Sequence, residues 1–276
     1  MPQPIAILLV TLALCAGLAG APARAQGVLE GCADPKLEPS TTLSLCRKAL
    51  QNPRLSPENR ASVLVNLGVA QAALGRHADA VRSYSLAIAT RPGLVVAHAN
   101  RARSHRALGE RRAAMGDYAE VIALAPEDPE GWMGRGTLRL GLGDAAGAES
   151  DLTEAVRLAP ELTDALFNRG IARLALGRDR AAAEDFSTVI ARSPEDPGAH
   201  LNRGRARAAF APERAEGDFD RAIALAPDWG AAHAARGRFL ERRGRTEAAN
   251  ADYLRAYELG FSEPWLLERV RRLSGD

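Results

Sequence analysis

Along most of this chain, small, large apolar and polar positions recur in a fixed order with a period of 34 residues. A small residue falls at Gly68, Ala102, Gly136, Gly170, Gly204 and Gly237. Alanine follows at Ala80, Ala114, Ala148, Ala182, Ala215 and Ala249, the fifth unit being one residue shorter. Four residues on stands a large apolar residue: Tyr84, Tyr118, Leu152, Phe186, Phe219 or Tyr253. Three further on are Ala87, Val121, Ala155, Val189, Ala222 and Ala256. Spacings of four and three place these side chains on one stripe of an α-helix. Each unit therefore reads as two helices, A and B, with the stripe on B buried. Gly75, Gly109, Gly143, Gly177 and Gly244 fall between A and B, where a left-handed C-cap lets the chain turn back. Pro92, Pro126, Pro160, Pro194 and Pro227 close five of the units, because proline cannot continue a helix interior. The small residues of A and B are expected to let the two backbones approach; a bulkier residue would overpack the contact by roughly 1–3 kcal/mol.

A single hairpin of this kind cannot bury its own apolar faces, so neighbours must stack. These recurring residues resemble the tetratricopeptide repeat (TPR) family over residues 61–263. The family's large first-helix residue is matched by Trp132, with Phe167 nearby, while Leu64, His98, Leu166, His200 and His233 take that place in other units. The leucine that the family places before the small residue is present only as Leu67; elsewhere arginine stands there. The resemblance implies an all-α, right-handed α-solenoid of antiparallel helix pairs. Its units would be 61–94, 95–128, 129–162, 163–196, 197–229 and 230–263. Residues 26–60 then form an N-terminal capping segment, and 264–276 a C-terminal capping helix and tail. Pro264, Trp265, Leu266, Leu267, Val270 and Leu273 give that last helix an amphipathic pattern.

Residues 5–20 are apolar and precede Ala23-Arg24-Ala25. They read as a secretory signal peptide cleaved after Ala25, with only the terminal amine as its positive start. Two alternatives stay open: an uncleaved anchor, and a lipoprotein held to a membrane through Cys15. Export to the periplasm leaves Cys32 and Cys46, 14 residues apart. Such a pair suggests a disulfide in an oxidising compartment, with two free thiols as the alternative. The bridge would staple the cap, whose Cys46 segment reads as the second helix of a degraded repeat.

A net charge of +2 over 276 residues points to neither nucleic acid nor an anionic membrane. No short catalytic or nucleotide-binding signature is present, and the five histidines are spread over the repeats, with His98, His200 and His233 one per hairpin, rather than clustered as metal ligands. The chain thus reads as no enzyme, with no cofactor, no metal and no small-molecule substrate.

Two polar ladders run through the repeats. Arg101, Arg135, Arg169, Arg203 and Arg236 precede the small residue of helix A, and Asp117, Asp151, Asp185, Asp218 and Asp252 precede the large residue of helix B. The first unit has Leu67 and Ser83 instead. This joint change predicts an Arg–Asp pair within each hairpin, a geometry suited to guanidinium and carboxylate. Pairing to the following hairpin, or an anion-binding stripe, is the alternative.

One residue earlier lie Asn66, Asn100, Asn168 and Asn202, interrupted by Gly134 and Ala235. They resemble the groove-lining asparagines of O-linked N-acetylglucosamine transferase TPRs, which implies a hold on a peptide backbone. Local capping or inter-repeat bonding is the competing account. Met133, Thr137, Phe167 and Ile171 would form an apolar groove centre, with room at Gly134, and Arg103, Arg205 and Arg238 its basic flanks. The expected function is a non-catalytic scaffold or adaptor of the bacterial cell envelope that binds a protein or extended peptide. The alternatives are a regulatory accessory docking an envelope hydrolase or secretion machine, and a self-associating scaffold.

Overall fold

The computed structural model describes residues 23–274, with side chains from residue 27. The signal peptide read at 1–25 and the lipidation alternative at Cys15 lie outside these residues, apart from 23–25, which open the first helix. Among the described residues every regular element is an α-helix. In order they are α1 Ala23–Ala33, α2 Pro39–Leu50, α3 Pro57–Ala73, α4 His77–Thr90, α5 Val95–Ala107, α6 Arg111–Leu124 and α7 Pro129–Gly141. There follow α8 Ala145–Leu158, α9 Thr163–Ala175, α10 Asp179–Arg192, α11 Pro197–Arg207, α12 Pro212–Leu225, α13 Gly230–Arg242, α14 Thr246–Glu258 and α15 Pro264–Ser274. The chain divides into two compact units between Leu138 and Arg139. In the first, α1 packs on α2, α2 on α3, α3 on α4, α4 on α5 and α5 on α6. In the second, α8 through α15 pack in the same successive way.

The turns explain the period. Gly75, Gly109, Gly143, Gly177 and Gly244 adopt φ between 69° and 82°, and the following residue donates its N–H five residues back, as from Arg76 to Gln71 and from Arg178 to Arg173. That closure stops helix A and reverses the chain. The fifth hairpin has no glycine here. Ala211 instead bonds four residues back to Arg207 at 2.8 Å, and Pro212 begins α12. The tighter turn omits one residue, which is why this unit is short. Helix starts are fixed by side chains where the sequence provides them: Ser56 accepts from Asn59 N–H at 3.2 Å, and Asp196 from Gly198 at 2.8 Å and Ala199 at 3.1 Å.

The helix B stripe is the core. All eighteen stripe residues, from Ala80, Tyr84 and Ala87 to Ala249, Tyr253 and Ala256, are at most 2% exposed. The small helix A residue has a different role from the one expected. It makes room chiefly for the ring on helix B, and at Gly237 for the Ala249 carbonyl as well. A Cβ at Gly68 would stand 2.5 Å from Tyr84, at Gly170 2.7 Å from Phe186 and at Gly237 2.7 Å from Tyr253.

Both ends are capped. Cys32 and Cys46 form a disulfide joining α1 to α2, and both are fully buried against Leu29, Leu43, Val63 and Leu67. At the other end Leu266 and Val270 of α15 enter the last core cluster. Trp265 meets Tyr253 edge-on, with ring centroids 5.7 Å apart.

Candidate functional site

The ladder aspartates are buried, at 1–4% exposure, so each carboxylate needs partners to offset its lost hydration. Arg101 reaches Asp117 at 2.6 Å, Arg169 reaches Asp185 at 2.7 Å, Arg203 reaches Asp218 at 2.6 Å and Arg236 reaches Asp252 at 2.8 Å. A second cation, one helical turn further along helix A, completes most of these sites. Arg173 meets Asp185 and Arg207 meets Asp218, both at 2.8 Å. Arg139 meets Asp151 at 2.9 Å, and His105 lies 3.8 Å from Asp117. Arg135 lies over the Trp132 ring, 5.3 Å from its centroid. The first hairpin replaces charge by a neutral bond at the same places: Ser83 Oγ donates to Gln71 Oε1 at 2.6 Å. The ladder arginines also tie adjacent hairpins, for their third nitrogen donates back to Ser85 at 2.9 Å from Arg101 and to Asp220 at 2.7 Å from Arg236.

The three repeated histidines serve the same framework. Nε2 of His98, His200 and His233 donates to the carbonyl of Pro92, Pro194 and Pro227 at 3.0–3.1 Å, since a carbonyl only accepts. Trp132 Nε1 donates to Pro126 in the same way at 2.9 Å. A ring N–H at this position thus pins four of the A helices to the proline that closed the previous helix B.

Several expected groove positions are not open to a partner. Asn66 is fully buried and Asn100 is 2% exposed, so neither amide faces solvent. This corrects their assignment to a peptide-holding ladder. Asn100 Oδ1 instead accepts from Arg103 at 2.8 Å, and Asn202 Oδ1 from Arg205 at 3.2 Å. Asn202 also donates to Gly198 O at 3.0 Å. Asn100 and Asn202 therefore orient the arginines three residues on. Asn168 is half-buried. The expected room at Gly134 is likewise corrected: the ring of Tyr118 fills it. Phe167 and Ile171 are partly buried against Ala183, Phe186 and Ala206, with Phe167 edge-on to Phe186 at 5.6 Å. They join one hairpin to the next instead of standing as a free apolar strip. Met133 and Thr137 stay partly exposed, and Thr137 Oγ1 donates to Met133 O at 2.8 Å.

What does stand open is a cleft of about 500 Å³ in the second unit, within the range of roughly 300–1,000 Å³ usual for ligand sites. Its floor is Ala231, Ala234 and Ala235 of α13, reaching down to Phe219. Where α9 carries Phe167 and Asn168, α13 carries Ala234 and Ala235, and that loss of bulk hollows the surface. Phe261 and Trp265 form an aromatic wall. Arg205, Arg238 and Arg242 enter it, against the single carboxylate of Glu263. Arg238 lies over the Trp265 ring, 5.0 Å from its centroid. Arg205 keeps contact with solvent, yet loss of hydration and then the charge of Arg238 lower its pKa. By contrast Arg103, at the equivalent place in α5, is neutralised by Glu130 at 2.6 Å.

Residues 100–163 and 167–210 match the family model of the tetratricopeptide repeat. Those residues carry tetratricopeptide repeats, and the chain has the fold of a TPR protein. Its fold is similar to that of a TPR protein from Parabacteroides merdae, at 22% identity and TM-score 0.62 over 88% of this chain and 96% of that one. It is similar also to PilW, a type IV pilus biogenesis factor, at 18% identity and TM-score 0.64 over 76% and 97% of the two chains. A third likeness is to YrrB, a TPR protein with an unusual peptide-binding site, at 16% identity and TM-score 0.59 over 69% and 99%. These are likenesses of fold. No curated protein matches the chain.

Within this TPR framework, the second basic residue on most of the buried aspartates escaped the sequence reading. Its trace is a basic residue four positions after the ladder arginine, at His105, Arg139, Arg173 and Arg207. The cleft escaped it as well, because a run of alanines announces nothing until the terminal TPR cap brings an aromatic wall beside it.

Proposed function

We propose that this TPR protein is a non-catalytic scaffold or adaptor of the bacterial cell envelope, holding a protein or extended peptide segment on the face formed by its A helices. One observation carries the reading. On that face α11, α13 and α15 leave an unfilled cleft with both apolar and cationic walls, whereas the other ladder cations and most of the apolar positions are engaged within the fold. The fold likeness to YrrB, a TPR protein with an unusual peptide-binding site, supports a peptide as the kind of partner. The envelope setting is supported by the apolar leader pattern and by the buried Cys32–Cys46 disulfide, which suits an oxidising compartment.

The test places a photocrosslinking amino acid at Ala235 in the cleft and, as control, at the exposed Leu86 on α4. In the producing cells, discrete adducts from position 235 and none from 86 support the reading. Equal adducts from both, or none from 235, overturn it. N-terminal sequencing of the same preparation should begin at Gln26.

A further inference from the structure

The chemical class of the occupant can be read from the cleft, and this step rests on the peptide-binding role just proposed. We infer that the cleft takes an acidic polypeptide segment in which two carboxylate side chains, three residues apart, flank an apolar one. The charge balance is the first argument. Most cations on the A helices are already matched: the ladder arginines by buried aspartates, Arg103 by Glu130. Among the described residues, Arg205, Arg238 and Arg242 have no carboxylate partner, and they converge on one hollow.

Their surroundings favour an anion. Arg205 loses part of its hydration and is repelled by Arg238, so it lacks the stabilisation a carboxylate would restore. The partners they do have leave donors free. Asn202 takes one N–H of Arg205, and Trp265 takes only the face of Arg238. Each guanidinium therefore keeps an edge for a carboxylate.

Spacing and shape select a peptide. Arg205 and Arg238 occupy equivalent positions on α11 and α13, helices that touch; packed helices lie about 8–10 Å apart. A chain in the polyproline II conformation advances about 3.1 Å per residue and turns once every three, so acidic residues three apart lie on one side and match that span. Between them the alanine floor and the Phe261–Trp265 wall offer apolar contact to an intervening side chain. The net charge of only +2 means that this attraction is local to the cleft, not a property of the whole chain.

The experiment uses the full mature chain and a fluorescein-labelled peptide, Gly-Glu-Phe-Leu-Glu-Gly, with fluorescence anisotropy as readout. Its counterpart with glutamine for both glutamates should bind about tenfold more weakly, as should the acidic probe to Arg205→Gln/Arg238→Gln. Circular dichroism melting of the variant should match the parent, since both arginines are exposed. Equal binding of the two peptides, or an unaffected double variant, overturns the acidic class. Tighter Arg-dependent binding to phosphatidylglycerol vesicles than to the peptide overturns it in favour of a lipid headgroup. The crosslink from Ala235 reads separately. If it persists while the acidic probe fails, the cleft still holds a chain, but not an acidic one.

Discussion

The ring of Tyr118 lies where a side chain on residue 134 would have to go: a Cβ added to Gly134 would stand 2.4 Å from it. The other helix B aromatics fill space above the glycine of their own hairpin, as Tyr84 does at Gly68. In this hairpin that place is Ala102, and the ring reaches Gly134 on the next helix A. The interruption of the asparagine row at 134 follows from this displacement. Gly134→Asn should therefore destabilise the protein by roughly 1–3 kcal/mol through overpacking. Pairing it with Tyr118→Leu should recover part of the loss. Urea unfolding of the two variants checks both statements; a neutral single substitution would show that the ring is free to move.

The aspartate sites make a graded prediction. Asp185 accepts from Arg169 and Arg173, so Asp185→Ala strands the Arg169 guanidinium, leaves Arg173 with Glu149 alone and should cost about 3–5 kcal/mol. A double-mutant cycle on Arg169 and Asp185 should give a coupling of about 0.5–3 kcal/mol. The first hairpin shows the neutral solution, with Leu67, Gln71 and Ser83 at the same three positions. Transplanting it as Arg169→Leu/Arg173→Gln/Asp185→Ser should cost less than Asp185→Ala alone. Simple additivity in the cycle would remove the pairing as an energetic unit.

The N-terminal disulfide closes a loop of 14 residues between two helices. Its reduction should lower stability by about 3 kcal/mol in the chain-entropy view. Thermal melting with and without dithiothreitol, with reduction verified by mass, measures this. An unchanged midpoint for the reduced protein would mean that packing around Leu43 and Val63 holds the cap without the bridge.

Glu130 gives a pH dependence with a definite sign. Loss of hydration raises its carboxyl above the ordinary 4.5; Arg103 pulls it back, and Asp128 raises it again. The Arg103 nitrogen is 2.6 Å away, yet Oε1 receives no well-directed hydrogen bond, which agrees with the net upward direction. A raised folded value means that the folded state holds the proton more tightly. The contribution of Glu130 is therefore fully favourable below the unfolded value and is lost as pH rises through the folded one. Compared with Glu130→Gln, the parent should gain stability as pH falls from about 7 to about 4. A parent that instead loses stability relative to the variant over that range contradicts the burial argument.

The helical hairpins were legible because they obey short-range rules. A stripe at spacings of four and three, a glycine at the turn and a proline at the close each act within a few residues, and six repetitions reinforce them. The Arg–Asp places were legible for the related reason that both change together in the first hairpin. Asn66 and Asn100 were misread because spacing gives a face but not its exposure. Asn66 and Asn100 recur like surface residues, yet they are closed off by packing from the neighbouring hairpins.

From the sequence alone came the repeat, the paired helices, the cysteine pair and the ladder positions, all of which depend on local backbone preference and periodic burial. Only the tertiary structure decided what each position faces. It put Tyr118 over Gly134, gave most of the buried aspartates a second cation, and set the alanines of α13 beside Trp265 of the terminal helix, so that Arg205 and Arg238 share a hollow. Such contacts join residues some 11 to 34 positions apart, and they follow from how side chains fill the space between stacked helices, which no one-dimensional period encodes.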